Sequence, residues 1–88
     1  MRITQKDLEN IIKRLNKVTG NPAEPWTRRD GRNVANIGNY HIGSAYGGVQ
    51  FLQMVTEGGG VKDIFRGYST KRELYNLICA YLEGIVAR

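Results

Sequence analysis

The chain holds one histidine, His41, and one cysteine, Cys79. A Cys–His pair can act as nucleophile and base when the fold brings the two side chains together. Here the spacing favours a plainer role for each. Cys79 falls in the middle of a helical pattern, far from any helix N-terminus that would lower its pKa. A thiol so placed is expected to be a half-buried packing residue, and His41 a strand residue hydrogen-bonded at the sheet surface. A zinc site needs three or four ligands at set spacing, and no CxxC or HxxxH occurs. The eight carboxylates are scattered, so no hard-cation site is expected either, and no cofactor is implied. Two glycine-rich stretches, "AYGG" and "EGGGVK", could face a phosphate. Neither follows the GxxxxGK[ST] or GxGxxG order, so turns and close backbone approach are their expected use. The missing constellations argue against an enzyme.

The strongest anion-binding pattern is "GYSTKRE" over residues 67–73. Thr70 and Glu73 have capping-box spacing, which marks a helix start. Free N–H groups and the positive end of the helix dipole gather there. Ser69 and Thr70 add hydroxyls, and Lys71 and Arg72 add charge. Cations in a first turn oppose the helix dipole, and a phosphate partner would turn that cost into a gain. The plainer reading is a capping box with solvated basic residues. A second basic group is Arg28, Arg29 and Arg32 in "RRDGR", a turn whose Asp30-Gly31 pair suits left-handed backbone. Tyr40, Tyr46, Phe51 and Tyr68 lie in or near the strand patterns. Outward-facing aromatics beside cations stack on bases, whereas inward-facing ones fill the core, which is the expected role in so small a domain.

Eighty-eight residues make one domain, residues 1–88, with room for one compact core. Thirteen Lys and Arg against eight Asp and Glu give a net charge of +5. That balance suits a polyanionic partner, or simply keeps a small protein dissolved. Between residues 34 and 60 Glu57 is the lone charged side chain, so a quiet centre separates two basic regions. One cysteine allows no internal disulfide, which fits a reducing compartment. The polar start "MRITQKDLEN" has no signal-peptide pattern, and no run approaches the length of a membrane span. A cytoplasmic location with no membrane partner is the expectation.

The elements that must position these groups are legible at both ends. Thr4 is a candidate N-cap, with Ile3 and Leu8 as a hydrophobic staple. Leu8, Ile11, Ile12, Leu15 and Val18 recur at helical spacing, and Gly20 followed by Pro22 stops the helix. After Thr70, the residues Leu74, Leu77, Ile78, Tyr81, Leu82 and Ile85 form a second apolar stripe. Gly84 is its expected end. Between the helices, "PAEPWT" reads as extended, and Asn33–Ile37 as a short strand. Asn39–Ile42 is another strand, or the same one continuing past a bulge at Gly38. "GSAYGG" reads as a turn or short loop, and Val49–Thr56 as the best strand. "GGG" at 58–60 connects it to "VKDIF", a short strand or a helical turn. The expected fold is α+β. A small antiparallel sheet of three to four short strands lies between an N-terminal and a C-terminal helix, both helices on one face.

With these segments placed, "LNKVTGNPAEPW", "NIGNYHIGSAYGG", "EGGGVKDI" and "GYSTKRELYNLICAYLEGI" resemble a set of small, uncharacterised proteins encoded by tailed phages and prophages. The AYGG and TKREL segments are the most specific part of the likeness, which covers nearly the whole chain. The resemblance implies context rather than chemistry, namely the cytosol of a bacterial host during infection or lysogeny. It carries over no functional residues. The helix–three strands–helix order, with Ser and basic residues at the last helix start, is also similar in part to the double-stranded RNA-binding domain. The expected function is a small basic binding protein associated with nucleic acid through Ser69–Arg72 and the Arg28–Arg32 turn. The alternative is an inhibitor or adaptor that binds a host bacterial protein.

Overall fold

The computed structural model describes residues 2–65 and 67–87. Its order is α1 (Gln5–Thr19), β1 (Trp26–Arg29), β2 (Arg32–Ala35), β3 (Tyr40–Ala45), β4 (Gly48–Met54), β5 (Val61–Asp63) and α2 (Lys71–Val86). The α+β class is as expected. Among the described residues the strands number five and divide between two antiparallel sheets, β1-β2 and β3-β4-β5. The pattern over 33–37 is shorter than expected, because the chain turns at Ile37-Gly38 and enters the second sheet at Tyr40. Gly38 takes a φ of 96° there and donates its N–H to the Met54 carbonyl at 2.8 Å.

Local chemistry explains both helices. Thr4 and Thr70 are N-caps, and each forms a complete capping box, with Asp7 and Glu73 respectively. Gly20 closes α1 in the left-handed conformation. Gly84 does not close α2, contrary to the sequence pattern: the helix runs through it to Val86 and is capped at Ala87. Gly84 lies exposed with open space around it, so it weakens the helix by about 1 kcal/mol relative to Ala without ending it.

One core joins both helices to one face of the larger sheet. Leu8, Ile11, Ile12 and Leu15 of α1 meet Leu74, Ile78 and Leu82 of α2 over Tyr40, Val49 and Phe51. The register pairs Ile42 with Phe51, so Tyr40, Ile42, Val49 and Phe51 share that face. Gln5 and Lys71, the first residues of the two helices, line one concavity at the same end of the molecule. The helices therefore run side by side in the same direction. Two stripe assignments need correction. Leu77 is 42% exposed and Val18 is 44% exposed, because each sits at the margin of its stripe where no second layer covers it.

Tyr40 is the polar seam of this core. Its hydroxyl shares a 3.0 Å hydrogen bond with Tyr81, and its ring stacks on Phe51 at 5.3 Å. Burial first, then the bond to Tyr81, pushes the Tyr40 pKa up to about 12. An unfolded tyrosine ionises near pH 10, so between pH 10 and 12 the folded chain holds a proton that the unfolded chain has lost. The contribution is intact below pH 10 and is lost as pH rises through that window, at up to about 1.4 kcal/mol per pH unit. Urea midpoints at pH 9 and 11 are expected to fall more steeply for the natural chain than for Tyr40→Phe. Equal slopes would dissociate alkaline unfolding from this hydroxyl.

Candidate nucleic-acid interface

The end of the molecule at the start of α2 is assembled from three turns of chain. Ser69 pairs with Val49 in an isolated antiparallel bridge, exchanging both backbone hydrogen bonds at 2.9 Å. This clamps the residues before α2 against the first turn of β4. The β3–β4 hairpin closes with Tyr46 and Gly47, both at positive φ (52° and 76°), as a two-residue type I′ turn requires. Gly48 is needed for the close approach, since a Cβ there would stand 2.9 Å from the Tyr68 Cβ. Ser44, Gly48, Ser69 and Lys71 then border a concavity of about 370 Å³.

The four aromatics separate cleanly. Tyr40 and Phe51 are core, as the size of the domain demands. Tyr46 is 95% exposed and Tyr68 46% exposed, and their rings meet edge to face at 5.7 Å and 81°. This pair stands next to Ser69, with Thr70, Lys71 and Arg72 following at once in the chain. Thr70 is committed to its cap, accepting from the Glu73 N–H at 3.1 Å. Lys71 and Arg72 are exposed in the first turn. The exposure of Tyr46 did have a signal: in "AYGG" the turn pushes its first residue outward.

Arg28, Arg29 and Arg32 sit elsewhere. Arg29 and Arg32 flank the Asp30–Gly31 turn of the β1–β2 hairpin, and all three are exposed. The base of this hairpin lies at the opposite end of β4. Trp26 packs on Gly59, where a Cβ would come within 2.5 Å of the indole, and Gly59 belongs to the turn that leaves β4 after Met54. The seven residues of β4 thus separate the base of this hairpin from the start of α2, a span of about 20 Å at 3.4 Å per residue. Arg66 and Arg88, counted in the second basic region, lie outside the described residues.

Compared with protein-family models, with curated proteins and with solved structures, the chain matches none. Its chemistry must therefore be read from its own side chains. His41 and Cys79 face different grooves, one beside β3 and one between the helices, which leaves no nucleophile–base contact. Cys79 is half-buried against the core, in the packing role expected. Asn39 donates its amide to the Pro22 carbonyl at 2.8 Å, which turns its Oδ1 toward His41. His41 Nδ1–H donates to that oxygen at 3.2 Å, and burial holds the imidazole pKa below its usual value. Among the described residues, no three His, Cys, Asp or Glu side chains cluster as metal ligands would, and no helix is long and apolar enough to cross a membrane.

Proposed function

We propose that the chain is a small binding protein that associates with single-stranded nucleic acid at the start of α2. The observation that carries this is the exposed Tyr46–Tyr68 pair beside a basic helix start. Aromatic faces stack on any base, and cations with free helix N–H groups track the phosphates. Lys71 and Arg72 supply the charge, Ser69 lies between them and the tyrosines, and the concavity admits a backbone turn. The phage-type context suggested by the sequence resemblance fits a role in a bacterial host. The second reading, an inhibitor or adaptor for a host protein, draws on the opposite end, where Trp26 and Val61 are nearly half-exposed.

Fluorescence anisotropy with dT and rU oligonucleotides across a salt series tests the first reading. Two to three phosphate contacts give a log–log slope of about −1.4 to −2.1 on single strands. Tyr46→Ala is expected to weaken binding by about 1–3 kcal/mol, the worth of one stacked base. Lys71→Ala with Arg72→Ala is expected to weaken all sequences alike and flatten the slope, since phosphate contacts carry no sequence information. Arg28→Glu with Arg29→Glu is expected to do less. No binding to either oligonucleotide at low salt would end the nucleic-acid reading. Loss on the hairpin substitutions alone would move the contact to the other end.

A further inference from the structure

We infer that the outer edge of β3, with the groove beside it, takes an extended peptide strand that carries a Lys or Arg, from a partner protein. This goes beyond the nucleic-acid reading and shares with it only Gln5 and Ser44, at the rim of the concavity.

The hydrogen-bond parity of the sheet decides which groups are open. Val49 bonds outward to Ser69, and the Ile64 N–H donates to the Phe51 carbonyl at 2.9 Å. The odd positions of β4 therefore turn away from β3. Met54 donates its N–H to the Asn39 carbonyl at 2.9 Å, so the even positions turn toward β3. With Leu52 opposite His41 and Gln50 opposite Gly43, His41 and Gly43 point inward. Tyr40, Ile42 and Ser44 consequently present their N–H and C=O groups to the outer edge. The fold closes the first of these itself: Asn16 accepts from the Tyr40 N–H at 2.8 Å and donates to its carbonyl at 2.9 Å. Among the described residues, none bonds the backbone groups of Ile42 or Ser44.

That open edge is recessed. α1 passes along it, with Gln5 near Ser44 and Asn16 at Tyr40. Ile12 and Glu9 of α1 form one wall of a groove of about 480 Å³, Glu24 and Pro25 form the other, and Tyr40 and Ile42 line it between them. A strand laid between an open sheet edge and a helix gains main-chain hydrogen bonds from the edge and side-chain selection from the groove. Glu9 and Glu24 outnumber Lys13 on the walls, so the groove selects a cationic side chain. A second copy of this protein would have to bring its own α1 and 23–25 segment to the same edge.

Selection of a random hexapeptide library on the immobilised protein supplies the probe. Enriched sequences are expected to be β-branched and to carry a Lys or Arg. On titration, the Ile42 and Ser44 amides are expected to shift and to exchange at least tenfold more slowly. Methylating the alternate peptide nitrogens that face the edge is expected to cost at least tenfold in affinity, a control made on the natural protein. Ser44→Pro, checked for an unchanged circular dichroism spectrum, is expected to weaken binding similarly, whereas Tyr46→Ala and Lys71→Ala are not. The proposal is overturned by the absence of any binder tighter than about 1 mM, or by binders indifferent to N-methylation. It is also overturned by a dimer that Ser44→Pro dissociates, which would assign the edge to a second copy.

Discussion

Replacing Leu82 by Ala is expected to lower the free energy of unfolding by about 2–5 kcal/mol. Leu82 is buried in the shared core, one turn beyond Ile78 and two beyond Leu74. Its removal deletes apolar contact and leaves a cavity between α2 and α1 that the parallel helices cannot close without moving. Leu77→Ala is the matched control. That side chain belongs to the same run of sequence but is 42% exposed, so its loss is expected to cost about 1 kcal/mol or less. Urea unfolding of both variants checks the pair. Equal costs would mean that α2 presents a different face to the core.

Asn16→Ala is expected to cost about 2–4 kcal/mol, for a different reason. Asn16 is 1% exposed, and its amide closes both backbone groups of Tyr40. Truncation leaves a buried donor and a buried acceptor without partners, at about 1–3 kcal/mol each. Asn16→Asp separates this from simple packing. At neutral pH a carboxylate would face the Tyr40 carbonyl, whereas a protonated Asp supplies both an acceptor and a donor. Its stability relative to the natural chain is expected to improve between pH 7 and pH 4, measured by denaturant midpoint. A pH-independent deficit would show that the hydrogen bonds are not what matters.

The elements easiest to read in the sequence were those fixed by neighbours in the chain. Thr4, Thr70 and Gly20 act within one helical turn, and the Asp30–Gly31 pair forms its turn from its own backbone preference. Leu77, Val18 and Gly84 misled because coverage of a stripe's margin depends on what packs beside the helix. Asn16 gave no signal, since a mid-helix asparagine reads as surface and its partner lies 24 residues away. For the candidate interface, Ser69–Arg72 were legible as a cap with cations. The Arg28–Arg32 hairpin was legible as a turn, but the distance of its base from the helix start is set by the length of β4 and by Trp26 seated on Gly59.

The common direction of the two helices bears on how an anion first meets the protein. Each peptide unit contributes about 3.5 D, so helices of 15 and 16 residues carry roughly 50 D each, and side by side their moments add to about 100 D. The positive pole lies where Gln5 and Lys71 begin their helices. The hairpin base lies at the other pole, where the helix carbonyls make the potential more negative. The two ends of the molecule are thus unequal at a distance of several ångströms. Before any contact forms, a diffusing polyanion experiences a torque that presents the Tyr46–Tyr68 end to it.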